Sequence, residues 1–111
     1  MFGSRGQAAG GALRGMSAAQ IVTADVEVLA RAVLRDLRER ARYGDTSVNT
    51  WSAAMRRGYA KDKEVMKCLS EALGWLRART FVCDDLSVMA EGSWLMVTRA
   101  GRAWLDGPIA G

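Results

Sequence analysis

With 111 residues, half of them apolar, and a net charge of +4, the chain has room for one domain with a small core. It contains no histidine, which excludes serine–histidine and cysteine–histidine nucleophile pairs and any histidine zinc ligand. Its two cysteines cannot close a structural zinc site, so neither catalysis nor a metal or cofactor is expected.

Residues 1–17 are rich in Gly and Ala, with few large apolar groups. Such a segment cannot offset its ordering entropy by burial and is expected to be a disordered tail, with the domain over 18–111. Met16 is an alternative to Met1 as the start, leaving a domain that begins "MSAAQIV". Val26, Leu29, Val33, Leu37 and Ala41, joined by Ala30 and Leu34, predict a helix over 24–42. Thr23 reads as its N-cap, Asp25 and Glu27 lie in the first turn, and Gly44 stops it. Arg31, Arg35, Arg38 and Arg42 recur along the outer face, with Glu27 and Glu39 at pairing distance. The stripe reads either as a phosphate-tracking surface or as a solvated face neutralised by its own glutamates.

The loop "YGDTS" leads to a short helix over 47–57, capped by Thr46 or Ser47. Val48, Trp51 and Met55 face one way along it, and Arg56, Arg57 and Gly58 end it. A third helix spans 62–79, with Asp62 as N-cap and Val65, Leu69, Ala72, Leu73 and Leu76 as the buried stripe. Lys63, Lys67, Ser70, Gly74 and Arg77 fall on a separate face, polar and sterically small. Phe81 to Cys83 read as a strand, "DDLSVMAEGS" as a loop or hairpin arm with Gly92 near its tip, and "WLMV" at 94–97 as the returning strand. Thr98 caps a final helix over 99–105, ended by Gly107 and Pro108. No run of 18 apolar residues is present, so no membrane span is expected, and two cysteines without a disulfide framework fit a reducing cytoplasm.

Two stretches carry a resemblance. "EALGWLRARTFV", Glu71 to Val82, is similar to the end of a recognition helix running into the first wing strand of bacterial winged-helix regulators, with Leu73, Leu76, Phe81 and Val82 at the matching apolar positions. "WLMVTRAGRAWL", Trp94 to Leu105, resembles the second wing strand and the turn after it. Val97 to Arg102 and Leu105 carry that match. The families are the multiple-antibiotic-resistance and phenolic-acid regulators, and the likeness covers about 45–105. It implies an α+β winged helix-turn-helix domain of three helices, a two-stranded wing and a short C-terminal helix. The pattern departs at Thr80, where the families usually have glycine, and at the wing. Between Asp84 and Ser93 the chain offers Asp84, Asp85 and Glu91 and no cation.

For such a fold, double-stranded DNA is the expected partner, with helix 62–79 in the major groove. Lys61, Lys63, Lys67 and Ser70 are then the contacts on that helix, Arg56 and Arg57 clamp the backbone, and Arg99 and Arg102 reach it from beyond the wing. A homodimer built on helix 24–42 and the final helix is also expected. The alternative is a winged-helix protein–protein module without DNA contact, which the acidic wing and a surface formed by Trp75, Trp94 and Trp104 would serve, with Trp51 in the core. Tyr59 and Lys63 match the spacing of a dehydrogenase proton relay, yet no glycine-rich loop follows a strand to hold a dinucleotide.

Overall fold

The computed structural model of the chain describes residues 13–107. Four of the five helices among these residues start where a short polar side chain accepts an unpaired backbone N–H. Ser17 caps α1 (Ala18–Thr23), Ser47 caps α3 (Val48–Gly58), Asp62 caps α4 (Lys63–Ala78) and Thr98 caps α5 (Arg99–Asp106). The remaining helix, α2 (Val26–Ala41), follows Asp25, whose side chain makes no capping bond. Strands β1 (Val82–Asp84) and β2 (Leu95–Val97) pair antiparallel, with Val82 opposite Val97 and Asp84 opposite Leu95. The fold class is α+β, and no helix among the described residues is long and apolar enough to cross a membrane.

The first expected helix divides in two. Ala24 and Asp25 are extended, and Thr23, read from sequence as an N-cap, instead closes α1 by donating its hydroxyl to the Ala19 carbonyl at 2.8 Å. A capping box between Ser17 and Gln20 nucleates α1 and delivers Ile21 to the core. The chain before it is also packed. Leu13 is 1% exposed, and the Tyr59 hydroxyl donates to the Met16 carbonyl at 2.7 Å while accepting the Leu13 N–H at 3.2 Å. Leu13 and Met16, within the expected tail, are thus packed against the domain; residues 1–12, like the Pro108 stop, lie outside the described residues.

The core lies between α2 and α4, which pack together most extensively, and α1 rests on α4. Leu34, Leu37, Met55, Leu69 and Leu76 are fully buried there. Met55 arrives from α3, whose end turns sharply into α4. The Lys61 N–H returns to the Arg56 carbonyl at 2.7 Å, and both Ala60 and Lys61 take left-handed backbone angles. The end of α4 is built alike, with the Phe81 N–H bound to the Leu76 carbonyl at 2.9 Å and Thr80 left-handed at φ 60°. Thr80 thus makes with a β-branched residue the turn for which glycine is the easy choice.

The segment read from sequence as a plain loop contributes a third rung to the sheet. Ser47 bridges Trp94, Leu95 donates its N–H to the Thr46 carbonyl at 3.1 Å, and Val48 donates to Ser93 at 2.9 Å. Strand β2 is therefore central. Its Leu95 and Val97 face the core with Val82, and Met96 faces out. Helix α5 then comes so close to the sheet that a Cβ at Gly101 would lie 2.3 Å from the Phe81 carbonyl oxygen. Arg31 and Arg38 hold α5 on α2, through the Trp104 carbonyl at 3.1 Å and Asp106 at 2.6 Å.

Candidate nucleic-acid interface

The turn from α3 to α4 gathers most of the cations that the sequence nominates. Arg56 and Arg57 occupy the last turn of α3, Lys61 the connection, and Lys63 and Lys67 the first two turns of α4; all five are exposed. The ion pairs among the described residues are Arg38–Asp106, Arg40 with Asp36 and Asp45, Arg42–Glu39 and Arg77–Asp84. None of them engages these five. At about 100° per residue, Lys63, Lys67, Ser70, Gly74 and Arg77 share one sector of α4, directed away from the buried stripe. Glu64 and Glu71 flank that sector, so the face is basic with an acidic margin.

Ser70 is exposed and donates its hydroxyl to the Met66 carbonyl at 2.9 Å, leaving its oxygen lone pairs to accept from outside. Gly74 has nothing within 4 Å of where a Cβ would stand, so the sector is open as well as small. The N-terminal end of α4 adds the positive pole of the helix, partly met by the Asp62 carboxylate that caps it.

The loop of the β1–β2 hairpin contributes charge of the opposite sign. Asp84 is held by Arg77 at 3.3 Å. Asp85 accepts the Ser87 hydroxyl at 2.6 Å and the Ser87 N–H at 3.0 Å, and these bonds lower its carboxyl pKa. Glu91 makes no ion pair among the described residues. The loop also leaves Leu86 and Met89 91% and 98% exposed.

Arg99 and Arg102 are exposed on the first turn of α5. Arg102 donates to the Val97 carbonyl at 3.3 Å and lines a groove with Arg38, Trp94 and Met96 over the outer face of the sheet. The two candidate arginines after the hairpin are therefore on a different element from the α3–α4 cations, and Arg102 keeps company with the end of α2. Three arginines of the stripe along α2 are engaged, Arg31 and Arg38 on α5 and Arg42 with Glu39 at 3.5 Å, while Arg35 makes no ion pair among the described residues.

Of the tryptophans, Trp51 is buried, as expected of a core residue. Trp75 and Trp104 are half-buried and meet at a ring separation of 5.5 Å, with Phe81 stacked on Trp104 at 4.9 Å. Arg31 and Arg79 cover this cluster from outside, each about 4 Å from a ring centre. Trp94 belongs to the β1–β2 hairpin, with its indole N–H directed to the Glu91 carbonyl at 3.4 Å. The three indoles read from sequence as one partner surface are thus split, and two of them carry an arginine lid. Sequence reasoning passed over Leu86, Met89, Arg79 and the Arg77–Asp84 pair. Two apolar residues in a stretch of turn formers were the available signal for the first two.

Comparisons with protein-family models, with curated proteins and with solved structures give no match to the chain.

Proposed function

We propose that the chain is a winged helix-turn-helix domain that binds duplex DNA without catalysis, as a cytoplasmic transcriptional regulator or accessory factor. The observation that carries this reading is the set of exposed cations, Arg56, Arg57, Lys61, Lys63 and Lys67, around one helix–turn–helix junction with no acid paired to them among the described residues. Helix α4 then enters the major groove with its N-terminal half leading. Arg56, Arg57, Lys61 and Lys63 neutralise phosphates, and Lys67 and Ser70 lie far enough along the helix to meet base edges. The antiparallel hairpin is the wing, and its acids turn it away from phosphates, so the helix carries the contact.

The test is binding to labelled random-sequence duplex DNA across a salt series. The log–log slope is expected at about −0.9 per neutralised phosphate, and Lys63→Glu with Lys67→Glu abolishes binding. Negligible binding at low salt overturns the reading. The exposed Leu86 and Met89 beside three acids favour the second reading, a module of the same fold that contacts protein and not DNA. Flat DNA binding together with retained protein binding supports that alternative.

A further inference from the structure

The wing tip and the outer face of α2 are complementary surfaces that the chain does not bring together within itself. The tip is a shaped projection. Asp85 donates its N–H to the Trp94 carbonyl at 2.8 Å at the base of the loop, and Ser87 folds back onto the Asp85 carboxylate. That geometry leaves Leu86 and Met89 almost wholly in water. Their neighbours are acids, and Glu91 is the one with no bond from its carboxylate to another side chain among the described residues. Two apolar side chains three residues apart and this exposed offer a partner an apolar contact.

The outer face of α2 has the opposite character. A groove of about 730 Å³ runs past Arg14, Arg31, Arg35 and Arg79 with Val28 and Trp75 in its lining, and Asp25 and Glu27 also border it. Val28 is 57% exposed. Arg14 and Arg35 make no ion pair among the described residues, and both also line the adjoining cavity of about 320 Å³ that leads to Arg38 and Arg42. An apolar floor among unpaired guanidinium groups suits an acidic, apolar projection, and the wing of the same protein is one.

We propose that a second copy of this chain seats its wing tip in this groove, with Leu86 and Met89 against Val28 and the Arg79 side chain stacked on Trp75, and with Glu91 facing Arg35. The contact joins unlike surfaces, so it closes into a dimer where both wings are exchanged and extends into a chain where they are not. It uses none of the α3–α4 cations and stands or falls separately from DNA binding.

The test is sedimentation velocity of the full chain, without DNA, from micromolar to millimolar concentration. The expected result is a mass above the monomer that rises with concentration and falls with salt. Leu86→Ser with Met89→Ser weakens association by about tenfold or more. Glu91→Arg and Arg35→Glu each weaken it, and mixing those two variants restores it, which no fold defect would do. All four positions are at the surface, and unchanged circular dichroism and melting temperature check that the variants fold. A monomer at every concentration overturns the proposal. So does an oligomer indifferent to these substitutions, or a charge-reversed pair that fails to recover when mixed.

Discussion

The indole N–H of Trp51 donates to Oδ2 of Asp36 at 2.9 Å, and the same oxygen accepts Nε–H of Arg40 at 2.9 Å. One carboxylate on α2 thereby ties α3 to α2 through the buried Trp51. Arg40 reaches on to Asp45 at 3.3 Å, so the loop before α3 joins the same network.

Asp36→Ala leaves a buried indole donor without a partner and is expected to lower unfolding free energy by about 1–3 kcal/mol. Asp36→Asn keeps an acceptor oxygen and loses less. Urea denaturation followed by tryptophan fluorescence measures both, with the midpoint moving and the slope held.

Thr80 and Gly101 pull in opposite directions. Thr80→Gly relieves a left-handed β-branched residue and is expected to stabilise by about 1 kcal/mol. The Thr98 hydroxyl continues to find the residue-80 carbonyl, which it meets at 2.6 Å. Gly101→Ala drives a methyl into the Phe81 carbonyl and is expected to cost about 3 kcal/mol, at the upper end for overpacking. Thermal melts of the two variants should bracket the parent.

Tyr59 links stability to alkaline pH. Burial raises its phenol pKa above the ordinary 10.0, and the negative charge of Asp36 adds to that against the lowering effect of the Leu13 backbone bond. The folded state thus prefers the neutral phenol. Its contribution is complete below the unfolded tyrosine value and is lost as pH rises through the higher folded value. Tyr59→Phe is expected to cost about 1 kcal/mol and to remove this alkaline dependence. Faster amide exchange at Leu13 and Met16 is the local readout.

For DNA, the two arginine- and lysine-bearing faces separate cleanly. Because α2 and α4 pack through their buried stripes, the Lys67 side of α4 and the Arg35 side of α2 look in opposite directions. Lys63→Ala should reduce the salt slope by about 0.9, and Arg38→Ala, tied to Asp106 on the far side, should leave it unchanged.

Cys68 provides a chemical probe of the same helix. Burial pushes its thiol up, reinforced by Glu64, Glu71 and Asp62. Its alkylation rate is expected to rise with pH about a midpoint above that of an unstructured cysteine, because the thiolate is the reacting species.

Ser47, Asp62 and Thr98 could be read as caps from sequence because each acts on an amide two or three residues away. The α3–α4 cations were legible for the same reason, since helical spacing alone puts Lys63 and Lys67 opposite Val65 and Leu69. What escaped depends on distant partners. Leu13 is held by a hydroxyl 46 residues on, and Arg31 meets Trp104 73 residues on. The third rung at Thr46 and Ser47 is too short to show a period of two, and the break at Ala24 sits inside an apolar pattern that runs through both helices.

Ser47 is at once the cap of α3 and the residue that bridges Trp94. The β1–β2 hairpin and the first turn of α3 therefore meet at one residue, whose backbone serves the sheet while its hydroxyl serves the helix.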